Sequence, residues 1–301
     1  VTGDRVEAFR ADIAASPEAL ARLLDGWRPV DLGRRSRCVF SGMGSSRYAA
    51  RIAARRLRAR GGIGWVEHAA ATDASPPGDD VVLIAISASG RTREVLATAE
   101  RHRGSSLVVA VTNDPGSDLA TGADIVVPLH AGVETAGIAC RTFRATVAAL
   151  ALLSGDATPS ELRPVVDGVA ARLDRQERWV GPMADAIDGA PSIDVIAEAS
   201  LVGLAEQGAL MFREAPRLSA HAWETGEWLH TGVYLALPGH RAVLFEGSPA
   251  DAGVVATIER RGGDVGRFAD SGDGPIRRAI VESLISELCA AELWRRADAI
   301  G

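Results

Sequence analysis

Short apolar runs alternate with longer segments of helical period along most of the chain, and this alternation limits the possible folds more than any other feature. The runs CVFSG (38–42), IGWVE (63–67), VVLIAI (81–86), SLVVAV (106–111) and DIVVPL (124–129) read as strands. VVLIAI has no polar position, so a strand made from it buries both faces, as parallel sheets covered by helices on two sides require. Between the runs lie SRYAARIAARRLRAR (46–60), TREVLATAERHR (92–103) and CRTFRATVAALALL (140–153), each long enough for a helix. The order resumes with IDVIAE (193–198), LVGLAEQGALMFREA (201–215), the short extended RLSAHAW, VYLALP (233–238), AVLFEG (242–247), ADAGVVATIERRG (250–262) and DVGRFAD (264–270). A last helix, IRRAIVESLISELCAAELWRRA, covers 276–297. Strand–helix–strand–strand–helix–strand thus occurs twice. The reading is an α/β chain of two similar units, each a parallel sheet flanked by helices. Ser16 and Pro17 read as the N-cap and first position of a leading helix, EALARLLDGW. The small polar stretch SGDATPSE (154–161) is the main composition break, and a helical pattern follows it from about Glu161 to Trp179. The division is therefore into residues 1–155 and 156–301.

Composition removes several classes of partner. The 301 residues carry a formal net charge of −6, with no polybasic tail, which argues against nucleic acid. No apolar run is long enough to cross a bilayer and no signal-peptide pattern opens the sequence, so a cytoplasmic protein without a membrane partner is expected. Cys38, Cys140 and Cys289 are far apart and odd in number, fitting neither a disulfide framework nor a CxxC metal site. The sequence contains no lysine, which excludes a lysine Schiff base with a carbonyl substrate. No metal and no cofactor are expected.

Two loops of small residues follow apolar runs and precede helices. ISASGRTREV (86–95) places Ser87, Ala88, Ser89 and Gly90 at the exit of one strand and Thr92 at the entry of a helix. SGMGSS (41–46) does the same with Gly42, Gly44, Ser45 and Ser46. At the carboxyl ends of parallel strands such loops face ligands, and the helix N-terminus supplies unpaired N–H groups and partial positive charge. Hydroxyls at 87, 89 and 92 suit a phosphate monoester. The alternative is a plain turn, with Ser89 or Thr92 capping the helix. Neither loop is a P-loop, which needs a lysine, and GMGSSR is not the dinucleotide GxGxxG.

In order, five stretches resemble the tandem sugar isomerase (SIS) family, as in the isomerase half of glucosamine-6-phosphate synthase and stand-alone amino-sugar-phosphate isomerases and deaminases. GMGSSRYAA resembles its first-strand GTSxxA loop, and ISASGRTREV its SxSGxTxE phosphate loop. The run 113–134 with GIAC (137–140) resembles its N-x-x-x-S-x-L…AGxE…GVAS segment, GALMFREAP (208–216) its GALKLKE helix, and GEWLHTG (226–232) its GELKHGP loop. The resemblance implies two SIS units, each a flavodoxin-like sheet. It implies that Ser45, Ser46, Ser87, Ser89 and Thr92, with Gly44, Ala88, Gly90, Ile138 and Cys140, hold a sugar phosphate. It also implies that Glu214 moves a proton between C1 and C2, and that His230 opens the sugar ring from the partner subunit of a homodimer.

Read from the residues alone, Glu214 is either that base or the solvent-facing end of a helix beside Pro216. Glu227 and His230, three apart, share a face if their segment is helical: a catalytic pair, a structural pair or half of a metal site. Glu134 is a pocket residue or a cap. His221, Trp223 and Trp228 read as packing or pocket wall. Gln207 and Met211 stand where the family carries an acid and a lysine, and the family's tail lysine has no counterpart in ELWRRADAIG. No glutaminase domain precedes the SIS-like segments, so no glutamine-dependent activity is expected. The expectation is an aldose–ketose isomerase or deaminase of an amino-sugar 6-phosphate; the alternative is a phosphosugar-binding or sensing protein without catalysis.

Overall fold

The computed structural model describes residues 2–33, 35–269, 272 and 274–300. Along the chain run α1 (Thr2–Ala14), α2 (Ser16–Gly26), β1 (Arg37–Gly42), α3 (Gly44–Ala59), β2 (Ile63–His68), β3 (Val81–Ile86), α4 (Arg93–His102) and β4 (Leu107–Thr112). Then come α5 (Asp118–Thr121), β5 (Ile125–Pro128), α6 (Arg141–Leu153), α7 (Pro159–Asp174), α8 (Val180–Ile187), β6 (Ile193–Ala197) and α9 (Val202–Glu214). The chain closes with β7 (Ala220–Glu224), α10 (Thr225–His230), β8 (Arg241–Phe245), α11 (Asp251–Arg260), β9 (Asp264–Phe268) and α12 (Pro275–Ile300). Asp270, expected at the end of the last strand, lies outside the described residues.

Two compact units result. One comprises residues 16–133 and 141–166, the other 1–15, 134–140 and 167–301. The first holds a five-stranded sheet in the order β2-β1-β3-β4-β5, parallel throughout. β3 is buried at every position, as its unbroken apolar run requires. Val81, Leu83 and Ala85 pack with Val39, Val108 and Ala110 against Val95 and Ala99 of α4 and Leu119 of α5. At the start of α2, the Ser16 hydroxyl accepts from Arg144, a fully buried arginine of α6.

The second unit holds a four-stranded parallel sheet in the order β7-β6-β8-β9, the same winding with one strand fewer. The fold is thus α/β with two parallel sheets flanked by helices. Within this unit α1 packs on α12, and α9 on α12, β6 and β7. Two sequence readings need correction. VYLALP is not a strand: Gly232–Leu235 is one 3₁₀ turn. Its inward positions are Val233 and Ala236, three apart, while Tyr234, Leu235 and Leu237 are exposed, so the burial has the period of a 3₁₀ turn. The place beside β6 goes instead to Ala220–Glu224, within the segment read as merely extended. The helix expected to reach Trp179 stops at Asp174, and α8 follows it separately.

A buried polar network fixes the long β2–β3 connection in the first unit. Glu67 accepts from Trp65 Nε1, from the Ser75 amide and from the Ser75 hydroxyl. His102, with no exposed surface, shares a 2.9 Å hydrogen bond with Ser106, which also accepts from the Gly78 amide. Burial and the Arg101 charge hold the His102 pKa below the ordinary 6.5, with Glu67 opposing. The unfolded chain therefore binds a proton near that pH which folded His102 refuses. Its contribution to stability is complete above the unfolded value and is lost as pH falls below it. Urea unfolding should show stability declining from about pH 7 to about pH 5.5, with a shallower decline in His102→Gln. Parallel pH profiles for the two proteins would remove His102 from this role.

Candidate functional site

The strand order builds a crevice into the first sheet. From β1 the chain crosses to β2 on one side, and from β3 it crosses to β4 on the other, so the loops leaving β1 and β3 diverge at the carboxyl edge. Gly42 and Ile86, the last residues of the two strands, are register partners. The loops 43–46 and 87–92 therefore start side by side.

In the second loop, Ser87 and Thr92 share a 2.8 Å hydroxyl–hydroxyl hydrogen bond. Thr92 is the N-cap residue of α4, yet its side chain makes no capping bond. The Ser89 hydroxyl is exposed and accepts from the Arg91 amide at 3.2 Å, two residues on. The capping alternative is thus not what the loop adopts. The Ala88 carbonyl accepts from the Asn113 amide and the Thr112 hydroxyl, which ties the loop to the end of β4. Gly90 closes the turn by donating to the Ser87 carbonyl at 3.0 Å, with a φ of 63°. A Cβ there would lie 1.9 Å from the Ser117 hydroxyl oxygen. Both its backbone and its surroundings demand glycine.

In the first loop, α3 opens at Gly44 behind Met43, which offers no side-chain cap. Ser45 and Ser46 are half-buried, and a Cβ on Gly44 would meet nothing within 4 Å. Two helices of sixteen and ten residues thus start at adjacent strand ends with no side-chain cap, next to several hydroxyls. The Ser46 amide donates to the Met43 carbonyl at 3.1 Å, and a helix start without a side-chain cap suits an anion.

The corresponding edge of the second sheet, at the ends of β6 and β8, carries charged side chains. Asp251 accepts from the Gly247 and Ser248 amides at 2.7 and 2.8 Å. Arg278 bonds Glu282 through two nitrogens and reaches Glu198 at 3.2 Å. Asp251 thus takes up two amides of the loop after β8, although α9 and α11, like α3 and α4, start without a side-chain cap.

The other expected residues gather in the second unit. The turn 134–140 is pinned on several sides. Glu134 accepts from the Cys140 amide at 2.7 Å, Asp12 of α1 accepts from the Ala136 amide at 3.0 Å, and Gln207 of α9 donates to the Ala139 carbonyl at 2.8 Å. Glu134 is thus a cap of this turn, and Gln207, 1% exposed, a strut beneath it. The Ile138 and Cys140 side chains are buried, so these two residues can meet a ligand only through their backbone. Glu214 is the last residue of α9. It is exposed to solvent, yet partial desolvation raises its pKa above the ordinary glutamate value; Arg213 opposes the rise and the Glu134 carboxylate adds to it.

Glu227 and His230 lie on α10 and are both exposed. The Glu227 carboxylate accepts from Thr231, and the helix start is capped by Glu224, which accepts from the Glu227 amide at 2.8 Å. Among the described residues no group of three or more His, Cys, Asp or Glu side chains is arranged to hold a metal ion. The sequence reading missed Asp194, a buried carboxylate on which His221, Trp223, Trp228 and His240 converge. An aspartate inside the apolar run IDVIA was its one visible sign.

Residues 32–154 match the family model of the SIS domain. Glutamine–fructose-6-phosphate aminotransferase [isomerizing] of Aeropyrum pernix is 30% identical over 214 residues, which are 65% of this chain and 35% of that protein. The chain therefore spans about a third of the length of the curated relatives it matches. The C-terminal domain of glucosamine-fructose-6-phosphate aminotransferase from Francisella tularensis superposes with a TM-score of 0.84 at 18% identity, covering 96% of each chain. Glucosamine-6-phosphate deaminase from Thermotoga maritima superposes with a TM-score of 0.80 at 17% identity, covering 96% of this chain and 95% of that one. These structures share the two-sheet fold.

Substitution tests the loop geometry. Gly90→Ala forces a left-handed alanine against Ser117 and should lower stability by about 1–3 kcal/mol in urea unfolding. Adding Ser117→Gly should recover part of that loss, because it clears the contact but not the backbone strain. An alanine variant as stable as the parent would mean that the loop relaxes freely.

Proposed function

We propose that the chain is a phosphosugar enzyme, an aldose–ketose isomerase or deaminase acting on an amino-sugar 6-phosphate. The observation that carries this reading is the pair of uncapped helix starts beside Ser45, Ser46, Ser87, Ser89 and Thr92 at the switch point of the first sheet. They lie inside the stretch that matches the SIS domain. In this reading the phosphate takes the amides of α3 and α4 and the loop hydroxyls, with Gly44, Ala88 and Gly90 giving it close access to the backbone.

Glu214 supplies the base. It takes the C2 proton of the open-chain aldose while O1 gains a proton, leaving a double bond between C1 and C2; the proton then returns at C1 as the C2 hydroxyl or amino group gives up one of its own. With an amino group on C2 the product is a C2 imine, which water converts to the ketose with release of ammonia. A raised pKa suits this work, since a base nearer the working pH takes and returns a proton more readily. Glu134 keeps that pKa up. His230 acts on the ring oxygen, brought by a second copy of the chain. Tyr234, Leu235 and Leu237, which follow it at 77, 59 and 65% exposure, suit an apolar contact with that copy. The absence of lysine, with Gln207 and Met211 on α9, favours the second reading, a phosphosugar-binding protein without turnover.

Incubating the protein with glucosamine 6-phosphate and fructose 6-phosphate in deuterated water, and following ammonia and label at C2, separates the two. Glu214→Gln should lower turnover by about 10²–10⁴-fold while phosphosugar binding persists. Full activity in that variant would dismiss Glu214 as base, and binding without turnover of any ester would favour the second reading. Activity requires the ionised carboxylate, so it should be present above the Glu214 pKa and lost as pH falls through it. That acid limb should lie above the ordinary glutamate value of 4.5 and move to lower pH in Glu134→Gln. An unmoved limb would break the link between the two carboxylates.

A further inference from the structure

Asp194 sits in β6 between Ile193 and Val195, with 1% of its surface exposed. A lone carboxylate in such a place is costly, so its partners define its purpose. Trp223 Nε1 donates to Oδ1 at 3.0 Å and Trp228 Nε1 to Oδ2 at 2.7 Å. His240 Nε2 lies 3.1 Å from Oδ2, and His221 Nδ1 3.6 Å from Oδ1. Burial alone would raise the carboxyl pKa; the nearby His240 imidazole and donation from Trp228 and Trp223 outweigh it and hold the pKa below the ordinary value. The group is an anion at neutral pH, and its hydrogen bonds are charge-assisted.

These partners come from β7, from α10 and from the turn before β8. α10 has only six residues, too few to persist by itself. Its buried residues are Thr225, whose hydroxyl donates to Asp251 at 3.1 Å, and Trp228, which has no exposed surface and packs with Ile196, Ala236, Leu244 and Val254. The chain folds tightly over the indole: a Cβ on Gly232 would come within 2.5 Å of its Cδ1. Apolar packing holds the ring in place, while the single N–H to Asp194 selects its orientation. The exposed side of the same short helix carries Glu227 and His230.

We propose that Asp194 is a positioning residue: by gripping the Trp228 indole it fixes α10 and with it the imidazole of His230. This rests on the reading of His230 as the ring-opening group. The role belongs to residues of one unit, where one carboxylate, two indoles and two imidazoles converge.

Trp228→Phe deletes the N–H but keeps a buried ring, and Asp194→Asn keeps the shape but removes the charge. In the intact chain with glucosamine 6-phosphate, Trp228→Phe should lower kcat about tenfold while KM stays within about twofold. Amide hydrogen exchange of residues 225–231 should accelerate by a similar factor, with the strands unchanged. Trp223→Phe, which loses the bond from β7 instead, should change both readouts less. If Asp194→Asn fails to fold, Trp228→Phe alone decides. Unchanged exchange at 225–231 overturns the anchor whatever the activity. Faster exchange with unchanged kcat overturns the positioning role, provided that His230→Asn itself lowers kcat. If His230→Asn leaves kcat unchanged, or the parent turns over no ester, the proposed role of His230 falls and so does the positioning role. The exchange data then report only on a structural anchor.

Discussion

A parallel sheet buried on both faces leaves chemistry only its edges, and this constraint governs the whole chain. β3 is buried at every position, so nothing can be recognised along its length. What remains are the loops at the carboxyl ends, and the strand order decides which of them diverge. In both sheets the second strand lies on one side of the first and the third on the other. Each sheet therefore has one point where neighbouring loops separate.

The two sheets use that point differently. In the first it is lined by hydroxyls, glycines and two helix starts without side-chain caps. In the second, Asp251 occupies the loop amides and Arg278 is bound to Glu198 and Glu282. The same winding thus yields one edge lined by hydroxyls and one where Asp251 takes up two of the loop amides. The difference lies in side-chain chemistry at a few positions and not in topology.

Rigidity elsewhere comes from buried polar groups that each serve several segments. Glu67 and His102 hold the β2–β3 connection, Gln207 and Asp12 hold the turn 134–140, and Asp194 holds β7, α10 and the turn before β8. Apart from β7, which is paired with β6, these segments are short or irregular and have no strand ladder to fix them. A buried carboxylate or amide with several donors is directional where apolar packing is not.

The sheets were legible in the sequence because their signal is local: an unbroken apolar run such as VVLIAI and a helical repeat such as TREVLATAERHR each carry their own period. The small-residue loops were legible too, since only residues like Gly90 tolerate a left-handed turn against Ser117. VYLALP misled because its apolar residues match a strand, whereas burial at 233 and 236 depends on what α10 and α11 leave free. Thr92 could be seen as cradle or cap, and only the structure shows that its hydroxyl meets Ser87 and does not cap α4. Asp194 was one acid in an apolar run, and its partners lie 27 to 46 residues away, beyond any local pattern. By itself the sequence determined the periods of its elements, and with them the class of fold. The tertiary structure decided which amides stay free, which carboxylates are spent and which short helix is pinned, because those outcomes depend on contacts between residues far apart in the chain.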